Sequence, residues 1–267
     1  MEPNIYCQRL PERVMQTCPL CGERQPIIIH GLSADLETGH MKMCADMGYS
    51  FCNCRNVFFT DWSNIKQDVY DEGYHLKYKT RDIEVIAKGE FKKFLKVIKQ
   101  LGYDPQSIFE IGAITDDVLD SAKEAGLETF GNDIFEHPSQ HQLIFGNFEN
   151  EDFLPRTDLI WASHVFEHFR DPGAQLNRCK SALSPNGILY IAMPDTFALD
   201  FDNPSNTMHW DWNVREHHIL WGMESFIEYA AEHGLKCVYS ERNIDLWPQK
   251  DKTWFWKKDF KVLLTHA

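Results

Sequence analysis

The sequence predicts an α/β protein: a doubly wound, mostly parallel seven-stranded sheet with helices on both faces, preceded by a small cysteine-rich module. Three observations carry this expectation. From residue 107 onward, short apolar runs alternate with helix-like segments. Six of the eight cysteines fall within the first 54 residues. The length, 267 residues, suits one large domain with a small appendage.

Taken in order, residues 1–62 form the cysteine-rich module, which carries few long periodic runs. A linker over 63–104 begins with an aromatic and charged stretch in which Tyr70, Tyr74 and Tyr78 recur every four residues, so they share one helix face. That stripe either closes over a ligand or packs the module onto the main domain. Phe91, Phe94, Leu95, Ile98 and Leu101 then line one side of a helix, with lysines opposite and Gly102 as its stop. The main domain, 105–267, opens with a buried strand at Ser107–Gly112 and a helix at Asp117–Ala125, ended by Gly126. Strands follow at Glu128–Ile134, Leu143–Phe148 and Asp158–Ser163. A helix at Gly173–Leu183 leads through a Ser184-Pro-Asn-Gly187 turn into a fifth strand, Ile188–Pro194. The helix Met223–His233 stops at Gly234, and two strands, Leu235–Ser240 and Phe260–Thr265, finish the chain. No helix separates these last two, so they pair as a hairpin and one runs antiparallel to the rest.

Apolar residues make up 43% and charged residues 25%, the balance of a globular chain. There are 27 basic and 40 acidic residues, for a net charge of −13. That charge repels nucleic acid and anionic membrane alike. No apolar run reaches the roughly 18 residues a membrane-spanning helix needs. The start, Met1-Glu-Pro-Asn, is acidic with no apolar stretch behind it, which predicts no signal peptide and a cytoplasmic location.

In such a compartment clustered cysteines read as a metal site rather than as disulfides. Cys18-Pro-Leu-Cys21-Gly has knuckle spacing, which lets both thiolates point at one ion while backbone amides turn toward sulfur. Cys52-Asn-Cys54 is the expected second pair, with Cys44 in reserve and His40 and His30 behind it. Four sulfurs close a tetrahedral zinc shell, so the expected ion is structural.

At Ser107–Asp117 a strand runs through Gly112 into a helix, a turn at which backbone can approach a ligand and free N–H groups face it. Asp133 stands 21 residues after Gly112, at the end of the next strand, where a carboxylate can take both ribose hydroxyls of a nucleoside. Asn147 and Phe148 end the third strand and offer an amide and a ring to an adenine.

Together with His164-Val-Phe-Glu167-His168 followed by Asp171-Pro172, and with the Leu183-Ser-Pro-Asn-Gly187 turn before an apolar strand, this series resembles the class I methyltransferases that use S-adenosylmethionine. The resemblance covers roughly residues 105–267 and implies a Rossmann-like domain. It implies cofactor contacts from Glu110, Gly112, Asp133, Asn147, Phe148 and His164. The added cysteine module resembles a subgroup containing sugar methyltransferases, in which it lies beside the catalytic domain and helps enclose the substrate. The glycine-rich turn departs from the family pattern: its register reads Gly112, Ile114, Asp116, and Asp116 is charged to pair with the cofactor's ammonium.

Methyl transfer requires an oriented acceptor and, for a hydroxyl or carbon acid, a base; histidine suits that task near neutral pH. Two clusters offer one. His164, Glu167 and His168 follow the fourth strand, where histidines also serve simply to cap the strand. Glu216-His217-His218 lies beyond a loop containing His209, Trp210, Asp211 and Trp212. In the resembling sugar methyltransferases a Glu-His pair at this place faces the sugar, which makes His217 the expected base, Glu216 its partner and His168 the alternative. The expected acceptor is a small molecule, a sugar or sugar nucleotide first, methylated on oxygen or carbon. A lipid head group, a polyketide, a peptide, or a non-catalytic binding role are the alternatives. A dinucleotide dehydrogenase would need the glycine fingerprint that is missing here.

Overall fold

A strand covered on both faces needs apolar side chains at every position, and the centre of this chain supplies several such runs. The computed structural model describes residues 15–34, 41–60, 81–150, 154–196, 216–248 and 254–267. Cys7, His40, Tyr70, Tyr74, Tyr78, His209, Trp210, Asp211 and Trp212 lie outside them.

The N-terminal part is an antiparallel sheet of β1 (Met15–Thr17), β2 (Arg24–Ala34), β3 (Met41–Cys52) and β4 (Val57–Phe59). A short strand from late in the chain, β10 (Ile219–Leu220), completes it by pairing with Phe58 and Phe59 of β4. The long β2–β3 hairpin lies where the sequence shows few long periodic runs.

Helix α1 (Arg81–Gln100) buries Phe91, Phe94, Leu95 and Ile98, as its periodicity predicts. Leu101 falls just beyond the helix and is exposed, because the chain turns at Gly102, whose φ is +91°. The main sheet then builds from β5 (Ser107–Ile111), α2 (Asp117–Glu124), β6 (Glu128–Asp133), β7 (Gln142–Phe145), β8 (Thr157–Ser163), α3 (Pro172–Ala182) and β9 (Leu183–Pro194). Helix α4 (Met223–Glu232) and the strands β11 (Leu235–Pro248) and β12 (Trp254–His266) complete it.

The sheet order is β11-β12-β9-β8-β5-β6-β7, a mixed seven-stranded Rossmann-like sheet. β7, β6, β5, β8 and β9 are mutually parallel, and β12 is the antiparallel strand. From β5 the chain winds outward to β6 and β7, then returns to the other side for β8 and β9. The carboxyl ends of β5 and β8 therefore flank a topological switch point, where ligands bind in sheets of this kind.

Two boundaries differ from expectation. The third strand stops at Phe145, and Phe148 opens a 3-10 turn, Phe148–Asn150. β9 begins at Leu183, with Ser184–Gly187 bulging out where the register shifts against β8. The closing hairpin also runs longer than read. β12 pairs with β9 only over Asp259–Leu264, while its pairing with β11 continues out to Trp254. Those five extra residues project about 17 Å beyond the carboxyl edge at strand rise.

Alternation along β8 divides the core. Leu159 and Trp161 face α1 and α2, whereas Ile160 and Ala162 face α3, α4 and the cysteine module. Trp161 stacks on Tyr190 with centroids 3.6 Å apart and receives the ring edges of Phe91 and Phe94. Trp161→Ala is expected to cost about 3–5 kcal/mol, the usual loss for a large buried aromatic. A denaturant midpoint unchanged from wild type would show that this stack contributes nothing.

Candidate active site

At the end of β5, Gly112 takes φ +75°, and a Cβ there would meet Val165 Cγ2 at 3.0 Å. Glycine thus allows the turn to pass directly against the segment that follows β8. The amides of Gly112 and Ala113 both donate to the Asn132 carbonyl, at 2.9 and 2.8 Å. Asp116 stands at the N-cap of α2 and accepts a hydrogen bond from Ser139 Oγ at 2.8 Å.

Glu110, two residues before Gly112, is buried, and its Oε2 accepts no hydrogen bond among the described residues. Burial first, then the nearby Asp117, Asp116 and Asp133, push its pKa well above the usual carboxyl range. Four acids gathered around a strand end form a site that a cation would stabilise. S-adenosylmethionine carries an ammonium and a sulfonium, so this chemistry fits the cofactor. Asp133 is buried at the end of β6, with its Oδ1 held by the Phe135 amide at 2.8 Å. Asn132 Nδ2 donates to the carbonyls of Ile144 and Gly146, which fixes the next strand end beside it.

The other two residues of this group have partners nearby. Asn147 Oδ1 accepts from the Glu149 amide at 2.9 Å. Phe148 is buried against Phe169, with centroids 5.6 Å apart, and Arg178 lies over its ring.

The segment after β8 brings the histidines together. His164 has φ +55°, an uncommon conformation for a side-chain-bearing residue and one that clusters at functional sites. Its Nδ1 lies 3.3 Å from Glu167 Oε1 and its Nε2 3.4 Å from Asp259 Oδ2. Glu167 is 1% exposed, on the 3-10 turn Phe166–His168. Burial raises its pKa, but His164, His168 and His217 together bring it down to about 2. His168 Nδ1 donates to the Glu216 carbonyl, and burial lowers this imidazole's pKa. The His168 and His217 rings meet edge-on at 5.0 Å. Glu167, His168 and His217 present ligand atoms within 4.8 Å of one another. Sequence reading picked Glu216 for His217; the acidic oxygens beside the two rings are those of Glu167.

The loop carrying His217 is held from both sides. The His218 amide donates to the Glu167 carbonyl at 2.7 Å. On the other side Tyr49 Oη donates to the His217 carbonyl and the Thr60 amide to that of His218, both at 3.0 Å. The N-terminal sheet therefore reaches the loop directly. A further ion pair at the edge, Asp195 with Arg242 and Arg242 with Glu224, went unread because its members come from three distant elements.

Cys18, Cys21, Cys52 and Cys54 gather their sulfurs within 4.8 Å, with Cys18–Cys54 at 3.8 Å and Cys21–Cys52 at 3.6 Å. Four sulfurs about 2.3 Å from a tetrahedral zinc lie about 3.8 Å apart, so the set fits that ion. The two turns are alike: Gly22 and Asn56 both take positive φ, and the Gly22 amide donates back to the Cys18 carbonyl. Cys44 belongs to β3.

A family described as a methyltransferase domain matches residues 84–240, more than half of the chain. A ubiquinone biosynthesis O-methyltransferase from Rhodopseudomonas palustris (strain HaA2) is 36% identical over 66 residues, which span 23% of this chain and 26% of that relative. Two solved structures share the fold. The 1,6-didemethyltoxoflavin-N1-methyltransferase of Burkholderia thailandensis, with 1,6-didemethyltoxoflavin and S-adenosylhomocysteine bound, matches at TM-score 0.51 and 14% identity over 74% of this chain and 87% of its own. The plantazolicin methyltransferase BamL, in complex with a triazolic desmethylPZN analog and SAH, matches at TM-score 0.52 and 13% identity, over 72% and 89%. No helix among the described residues is long and apolar enough to cross a membrane.

Proposed function

Because this chain belongs to the methyltransferase-domain family, and so is an S-adenosylmethionine-dependent methyltransferase, we propose that it methylates a small molecule, a sugar or sugar nucleotide first, on oxygen or carbon. The carrying observation is the meeting of His168 and His217 over Glu167, on a segment packed against the Gly112 turn. A proton acceptor therefore stands next to the place a nucleoside cofactor would occupy.

The cofactor supplies an electrophilic methyl group; the chain's residues hold it and prepare the acceptor. Glu110 faces the cofactor's cationic end, Gly112 lets backbone approach, and Asp133 takes the ribose hydroxyls. The Asn147–Phe148 pair holds the adenine. His164 lies beneath the cofactor. His217 removes the acceptor's proton, with Glu216 and His168 beside it. Cys18, Cys21, Cys52 and Cys54 hold one zinc ion that keeps the module folded and takes no part in the chemistry.

Asp133→Ala is expected to leave the fold intact and to weaken S-adenosylmethionine binding by about 1–3 kcal/mol, the cost of lost hydrogen bonds to a charged group. Calorimetric titration reads this directly, and unchanged affinity would move the ribose elsewhere. The acceptor class is tested by methyl transfer to a panel of sugar nucleotides, lipid head groups, polyketides and peptides. Transfer to a sugar nucleotide above the other classes supports the reading, and preferential transfer to any other class overturns it.

A further inference from the structure

We infer that Glu167, rather than its sequence neighbour Glu216, is the carboxylate that positions His217 for proton abstraction. The inference rests on His217 acting as the base.

Three observations support it. Glu167 is buried on the turn after β8, and one of its carboxylate oxygens comes within 4.8 Å of a ring nitrogen of His168 and of His217. Oε2 accepts no hydrogen bond among the described residues, and Oε1 has His164 Nδ1 at 3.3 Å. A buried charge of this kind is costly unless cationic groups face it, and imidazoles surround this one. Second, the main chain fixes the base to the carboxylate. The Glu167 carbonyl accepts from the His218 amide, and His168, the residue after Glu167, donates to the Glu216 carbonyl. The turn and the loop are thus stitched together on both sides of His217. Third, Glu216 meets this site through its main-chain carbonyl, and its charge raises the His168 pKa less than that of Glu167 does.

The chemistry needs such a partner. As the acceptor oxygen or carbon forms its bond to the methyl carbon, the carbon–sulfur bond breaks with its electron pair going to sulfur. The acceptor's proton passes to His217, which becomes an imidazolium, and the product leaves with S-adenosylhomocysteine. An ionised carboxylate beside the ring stabilises that imidazolium and orients the ring that forms it. The titratable groups facing Glu167 are His164 and His168 on its own segment and His217 from the loop before β10. Asp259 of β12 lies one step beyond, against His164. Among the described residues, Glu167 and His168 lie near His217, and Glu216 precedes it in the chain.

The test compares pH profiles of kcat and kcat/KM on one acceptor for zinc-loaded wild type, Glu167→Gln, Glu167→Asp, Glu216→Gln and His217→Ala. A carboxylate raises the pKa of a neighbouring imidazole, so its removal should shift the acid limb to lower pH. Glu167→Gln should also lower kcat by up to about 10²-fold, the lower end of what a positioned base contributes. KM and S-adenosylmethionine affinity should hold, and Glu167→Asp should recover part of the rate. If Glu216→Gln moves the limb and Glu167→Gln does not, the partner is Glu216 and the inference is overturned. Full activity in His217→Ala would overturn the underlying base assignment instead, which separates the two failures. A visible absorption on adding cobalt(II) to zinc-loaded protein, lost in Glu167→Gln, would make the carboxylate a metal ligand and overturn its positioning role.

Discussion

Replacing His217 by alanine is expected to leave S-adenosylmethionine affinity unchanged and to lower turnover by about 10²–10⁴-fold, the usual contribution of a positioned base. The loop that carries it lies at the carboxyl edge, tied to Glu167 and His168 on one side and to Tyr49 and Thr60 on the other. His168 is the weaker candidate, because Nδ1 is committed to the Glu216 carbonyl and burial favours the neutral ring. Initial rates of His217→Ala and His168→Ala on the same acceptor decide between them. A larger loss in His168→Ala, with cofactor binding intact, would transfer the role to His168.

Loss of the metal should have the second large effect. Cys18 and Cys52 are buried in the same core as Val57, Phe59, Trp221 and Phe226. Protein as purified should contain about one equivalent of zinc, as a closed four-sulfur site requires. Cys52→Ser should lose it and destabilise the chain by more than about 4 kcal/mol, as loss of a structural metal does. Because β4 pairs with β10, which starts two residues after His217, the damage should reach turnover as well as melting. Cys44→Ser should keep its zinc. Fully folded, metal-free wild-type protein would contradict the assignment.

The central strands were legible because burial on both faces leaves little choice of residue: Ile108, Phe109 and Ile111 in β5, and Leu159 to Ala162 in β8. The N-terminal sheet was not. β2 and β3 pair with register shifts between Ile27 and Ile29 and between His30 and Leu32, and such bulges break the two-residue period. β10 is two residues long and exists through its partner β4, so no local pattern announces it. The four cysteines that gather their sulfurs were readable from spacing alone, since two short-spaced pairs constrain their own geometry. The nearness of Glu167 to His217 was not. The group that lies against the ring comes from a turn 50 residues earlier. The hydrogen bond that Asp116 accepts was out of reach for a similar reason: its partner, Ser139, sits 23 residues away.

The central claim is that the edge formed by Glu110, Gly112 and Asp133 holds S-adenosylmethionine next to the histidine cluster. Calorimetric titration of zinc-loaded wild-type protein with S-adenosylmethionine tests it most directly. The account predicts saturable one-to-one binding that Asp133→Ala weakens and His217→Ala leaves unchanged. Folded, zinc-loaded wild-type protein that gives no binding would contradict it.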